Sequence, residues 1–233
     1  MSVQNVKRIL LGTPIPTAHA AHERLGPLTG LAIFASDAVV GVYSIAVAAT
    51  EVLLLATEAL ALSTFKRISF DSREESAALT IRTMRHCVLL AAAASVLVVP
   101  ASYVVLPFIL GPGYGGVPLV LLLLTPNVLC LAAVRPLYSF FQVQTENPAS
   151  MYRVVAAALV VNTALNVALV PVWGANGAAV AASLSGVVAV VVAFRAFSTA
   201  ANARLADLRP RRSDLDAYLD LAGSMLRRLR PSP

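Results

Sequence analysis

Charge is what this sequence has least of. Only 13% of its 233 residues are Asp, Glu, Lys or Arg, about half the roughly 25% usual in soluble domains. No Asp, Glu, Lys, Arg or His occurs between Cys87 and Val134, and none between Val154 and Phe194. Runs of that kind exclude a soluble globular domain, which needs solvated groups to cover its surface. With 58% hydrophobic residues and a mean hydropathy of +0.77, part of the chain must take lipid as its solvent.

Cysteine and histidine are scarce as well. The only cysteines, Cys87 and Cys130, fall inside apolar segments, where buried thiols read as packing residues and not as a disulfide or metal site. His19 and His22 are three apart, but no Cys or acidic cluster joins them, so no metal site is expected. No nucleophile, base and orienting acid occur together in any polar segment, which argues against an enzyme and implies no cofactor. Residues 1–25 lack a long apolar core, so a cleavable signal peptide is not expected. A β-barrel is excluded too, because its strands alternate in polarity and these runs do not.

What remains is long, apolar and punctuated. Each charge-free run is about twice the ~20 residues that one membrane-spanning helix needs. Each is broken near its middle by turn residues, Gly111-Pro112-Gly113-Tyr114-Gly115-Gly116 in the first and Pro171-Val172-Trp173-Gly174-Ala175-Asn176-Gly177 in the second. Two helical hairpins follow. Gly111, Gly113 and Gly116 also match a dinucleotide-binding fingerprint literally, but they follow a membrane helix where the fingerprint requires a strand. The expected class is therefore an all-α integral membrane protein with about five transmembrane helices, over residues 39–64, 86–110, 118–142, 152–171 and 175–197.

The basic residues give these helices a direction. A net charge of +6 and a pI near 9.8 suggest nucleic acid only until placement is considered. Lys66, Arg67, Arg73, Arg82 and Arg85 lie between the first two spans, Arg153 starts the fourth, and arginines from Arg195 onward follow the fifth. The two glycine-rich turns hold no Lys or Arg. By the positive-inside rule the segment 66–85 and the C-terminal tail are cytoplasmic. That makes the chain a multi-pass protein of the cytoplasmic (inner) membrane, with no nucleic acid partner. Within the basic tail, residues 199–233, the stretch 213–230 reads as a cytoplasmic amphipathic helix with Leu215, Tyr218, Leu219, Ala222, Leu226 and Leu229 on one stripe. It either packs on its own protein or lies against anionic membrane lipids.

Several phrases within residues 39–198 resemble a known family. They are Gly41-Val42-Tyr43-Ser44-Ile45-Ala46, Phe65-Lys66-Arg67-Ile68-Ser69, Leu106-Pro107-Phe108-Ile109-Leu110-Gly111-Pro112-Gly113-Tyr114, and Asn162-Thr163-Ala164-Leu165-Asn166 leading to the Pro171 turn. Together they resemble the C-terminal half of a bacterial polysaccharide or lipid-linked oligosaccharide flippase, within the multidrug/oligosaccharidyl-lipid/polysaccharide exporter superfamily. The resemblance implies most of one exporter lobe and a lipid-linked sugar as substrate. It also implies need for a second lobe, supplied by another chain or by homo-oligomerisation. Residues 1–38 are similar instead to the start of an amino acid/polyamine/cation permease, through Lys7-Arg8-Ile9-Leu10-Leu11-Gly12 and Phe34-Ala35-Ser36-Asp37. Three other readings stand beside the flippase: a non-functional fusion remnant, a permease fragment, and an interaction-only membrane subunit. Five spans ending inside place the N-terminus outside, whereas Lys7, Arg8 and Arg24 favour the cytoplasm; the two criteria disagree.

Five polar residues inside the spans are the candidate site. Arg135 is a cation within the third span, where it needs an anion or water. It either contacts the pyrophosphate or acidic sugar of a substrate, or pairs with Glu51 or Glu58, or snorkels to the interface. Glu51 and Glu58, seven apart and on one helical face, are candidates for binding a coupling cation or proton. Asn162 and Asn166, four apart on the fourth span, fit interhelical hydrogen bonding or sugar binding.

Overall fold

The computed structural model describes residues 37–70, 72–144 and 149–201. The permease-like N-terminal segment with His19 and His22, and the expected tail helix at 213–230, lie outside these residues. Four α-helices account for the described chain: α1 (Asp37–Phe70), α2 (Arg73–Leu110), α3 (Val117–Gln144) and α4 (Ala149–Ala201). A short 3-10 turn, Pro112–Tyr114, joins α2 to α3. Among the described residues there is no strand, and all four helices are long and apolar enough to cross a membrane.

Four long helices stand where about five spans are expected, and α4 covers the residues expected to form the last two. At 53 residues a straight α4 would extend ~80 Å at 1.5 Å per residue, far beyond a ~30 Å hydrocarbon layer. It is not straight. Gly174 leaves the helical region at φ 54 and ψ −130, a left-handed φ that glycine tolerates because it lacks Cβ. Asn162 Nδ2 donates to Ser185 Oγ at 3.1 Å although the two are 23 residues apart. An unbroken helix would hold them ~35 Å apart. So α4 folds back on itself as two limbs, and Gly177 sits where they part: a Cβ there would lie 2.4 Å from the Leu169 carbonyl oxygen.

The other glycine turn is at the same end. Val39 lies 3.4 Å from the Cβ position of Gly174, and Val42 lies 3.7 Å from that of Gly116, so the start of α1 meets both turns. Gly111 caps α2 at φ 88 and ψ 175, its N–H donating to the Pro107 carbonyl at 3.0 Å. At the opposite end lie the α1–α2 corner and the end of α3, together with Arg73, Arg82, Arg85, Arg153 and Arg195. The molecule thus has a glycine end and a charged end.

At the charged end the helices run longer than expected. Segment 66–85, read from sequence as a loop, is almost entirely helical: α1 continues to Phe70 and α2 begins at Arg73. A capping box explains the early start. The Ser72 hydroxyl accepts from the Glu75 N–H, and the Glu75 carboxylate accepts from the Ser72 N–H at 3.2 Å, which satisfies two end donors at once. The Ser72 hydroxyl also donates to the Glu75 carboxylate at 2.8 Å, and this bond first, then the one from the Ser72 N–H, holds the exposed Glu75 carboxyl below the usual carboxylate range. Gln144, at the end of α3, fixes the corner by donating to the Ile68 carbonyl at 2.7 Å and the Ser76 hydroxyl at 3.0 Å.

Two apolar clusters fill the interior. One, toward the glycine end, joins Tyr43, Leu53, Leu54, Val117, Leu121 and Leu124 to alanines of α4. The other, toward the charged end, gathers Met84, Leu137, Phe140, Phe141, Phe194 and Phe197. Phe140 meets Phe197 edge to face at 4.9 Å, a favoured aromatic geometry. Small residues let α4 approach α3 closely: a Cβ on Gly186 would lie 2.5 Å from Asn127 Oδ1, and Ser183 Oγ donates to the Leu123 carbonyl at 2.6 Å. Such small-residue contacts are how helices associate where lipid leaves no hydrophobic drive. Large apolar side chains point outward instead, including Leu62, Leu97, Val104 and Phe108. That inside-out pattern is what a lipid solvent allows.

Candidate functional site: an ion pair between α1 and α3

Arg135 interrupts the charge-free sequence of α3, and its Nη1 donates to the Glu58 carboxylate on α1. Of the partners expected for Arg135 within the protein, the structure brings it to Glu58. Glu51, two turns away on α1, is exposed. Both glutamates belong to one helix face, and Glu58 meets this arginine in an ion pair.

The depth of the pair follows from its neighbours. Cys87 Sγ lies 3.6 Å from the carbonyl oxygen of Thr57, the residue before Glu58. Cys87 is also the first residue of the long charge-free run, immediately after Arg85 and His86. The pair is therefore level with the border between the apolar layer and the charged end. Helix length agrees, since Arg135 lies ~27 Å along α3 from Val117 at 1.5 Å per residue, against a ~30 Å hydrocarbon layer. An arginine at this border is cheaper than one at mid-bilayer.

The pair is not sealed. The side chains of Arg135 and Glu58 are 22% and 45% exposed. A guanidinium carries five N–H donors in a planar fork suited to carboxylate and phosphate, so one carboxylate does not exhaust it. Chemically, the arrangement is a partly exposed cation held by a carboxylate.

Asn162 and Asn166 are elsewhere. Both are buried, at 6% and 2% exposure, inside the folded α4. Asn166 Nδ2 donates to the Asn162 carbonyl at 2.9 Å and to Asn162 Oδ1 at 2.8 Å, and Asn162 passes the chain on to Ser185. The amides thus pin one limb of α4 to the other. Ser185 was not singled out in the sequence, because only the fold-back at Gly174 reveals it as a partner. Cys87 and Cys130 are both free thiols, the first buried and the second half-buried.

No protein-family model, no curated protein and no solved structure matches this chain. The residues themselves therefore carry the functional argument.

Proposed function

We propose that this chain is a membrane-spanning part of a flippase-type transporter, crossing the cytoplasmic membrane five times and acting on a lipid-linked oligosaccharide or polysaccharide precursor. The observation that carries the proposal is the part-exposed Arg135–Glu58 pair at the border of the apolar layer. A cation there is placed for the pyrophosphate or acidic sugar of a lipid-linked substrate in the adjoining leaflet. In this reading α1, α2, α3 and the two limbs of α4 are the five crossings. The charged end is cytoplasmic, because the described arginines collect there and the glycine turns have none.

Two further features support the assignment. Gly111 and Gly174 belong to two of the phrases that carry the flippase resemblance, and each takes the left-handed φ its turn requires. A binding cavity between lobes is the general plan of such transporters, with alternating access rocking one lobe against the other. Five crossings supply one side of such a cavity, so the function requires a second lobe, from another chain or a second copy.

Complementation tests the proposal. In a strain lacking its polysaccharide flippase, this chain expressed with an N-terminal flippase lobe should restore surface polymer, and this chain expressed alone should not. Failure of the pair to restore polymer while both chains accumulate in the membrane counts against the flippase reading. Rescue by the single chain would show that copies of it supply both lobes.

A further inference from the structure

We propose that Glu58 is a built-in occupant of an anion site on Arg135, displaced when the phosphate of an inner-leaflet lipid arrives. The inference rests on the flippase reading for its orientation and names the ligand chemistry of that same site.

Three observations lead to it. First, the pair joins two helices, α1 and α3, from positions 77 residues apart. Glu58 can therefore leave Arg135 by a change of its own rotamer, without unwinding either helix. Second, the carboxylate is the more exposed partner, 45% against 22% for the arginine. The leaving group is nearer the surroundings, while the cation is the fixed element, set in α3 between the buried Val134 and Pro136. Third, the pair is level with Cys87, which directly follows Arg85 and His86 on α2, and so stands at the border between the apolar layer and the charged end.

The competition has a physical logic. An arginine with no anion at this depth carries a desolvation penalty in every state without ligand. A carboxylate partner removes that penalty and keeps the fork oriented. A phosphate carries more charge than a carboxylate and accepts the fork in two parallel bonds, so it can replace Glu58. Glu58 then reaches water through its exposed side. Affinity is lowered by the fraction of time that Glu58 holds the site, which also favours release of the headgroup after it has moved.

The test uses the purified full chain in neutral detergent micelles, with thermal unfolding as readout and inorganic diphosphate or phosphatidylglycerol as probes. Phosphatidylcholine is the control lipid. The wild type should be stabilised by a phosphate-bearing anion, and Glu58→Gln should reach half-saturation at about one-tenth the concentration, on the order of tenfold tighter. Arg135→Gln should not respond, and Arg135→Lys, which keeps the charge and loses the fork, should respond several-fold more weakly. A response to diphosphate shows that the site reads phosphate alone; a response confined to phosphatidylglycerol shows that it reads phosphate presented by a lipid. Should Arg135→Gln fail to fold, the lysine variant decides. Equal half-saturation in wild type and Glu58→Gln, an Arg135→Lys response equal to wild type, or no response to either probe overturns the inference. None of these outcomes depends on transport, so this failure and a failure of the flippase reading are told apart.

Discussion

Arg135 on α3 and Glu58 on α1 form an ion pair across 77 residues of sequence, level with the border between the apolar layer and the charged end. The pair ties α1 to α3, and in the proposal above it also holds a guanidinium for another anion.

Its structural share is measurable by a double-mutant cycle. Because both side chains are partly exposed, the coupling should be nearer the ~1 kcal/mol of open pairs than the 3–5 kcal/mol lost when one half of a sealed pair is removed. Arg135→Ala should lower thermal stability in micelles, and adding Glu58→Gln should recover part of that loss. A fully additive double variant would show that the two residues do not interact.

The glycines make graded predictions. Gly111→Ala places a side chain at φ 88 and ψ 175, a region only glycine populates readily, and should cost about 1–3 kcal/mol. Gly177→Ala should be worse, because its Cβ would lie 2.4 Å from a backbone carbonyl of the other limb, which cannot move without parting the hairpin. Gly113→Ala has open space around it and should be within about 0.5 kcal/mol of wild type. Folded yield and thermal midpoints in micelles read all three.

The α1–α2 corner should loosen with acid. Glu75 is held below the usual carboxylate range by its bonds to Ser72. A lowered folded-state value means its contribution is present above the unfolded-state value and is lost as pH falls through the acid range. The protection of amides 73–76, measured against their intrinsic exchange rates, should fall below about pH 4. Ser72→Ala should raise exchange there roughly fivefold at neutral pH and abolish the acid dependence. Exchange that ignores both changes would contradict the capping box.

Asn162 is predicted to matter for stability and not directly for substrate. Asn162→Leu removes its bond to Ser185 and should cost roughly 0.6–2 kcal/mol, the range for interhelical hydrogen bonds in membranes. Transport per folded molecule should stay within a few-fold of wild type. A large specific loss with normal stability would restore the sugar-binding role considered from sequence.

Much of the architecture was legible because its signals are local. Runs without charge demand a membrane, and Gly111 and Gly174 mark where each run must reverse. The corner at Ser72 was misread because its charges suggested a loop, although the Ser72-to-Glu75 spacing already carried a capping signal. Pairings across the fold were not legible. Whether Arg135 meets Glu51, Glu58 or neither depends on how α1 and α3 align, and no local pattern fixes that alignment. Likewise, Ser185 becomes the partner of Asn162 only once Gly174 reverses the chain.

Topology can be checked by cysteine labelling in intact cells, on a background with Cys87 and Cys130 replaced. Single cysteines at Gly113 and Trp173 should react with an impermeant reagent from outside. Cysteines at Ala78 and Thr199 should react only after the membrane is opened. External labelling of Thr199 would reverse the orientation assigned to the charged end.

The most direct test of the account is translocation of a fluorescent lipid-linked diphosphate sugar in sealed vesicles holding this chain and a second flippase lobe. The account predicts movement between leaflets that falls at least tenfold with Arg135→Gln and is partly retained with Arg135→Lys, at equal amounts of folded protein. Movement unchanged by Arg135→Gln would contradict the role of Arg135, and no movement above protein-free vesicles would contradict the flippase reading itself.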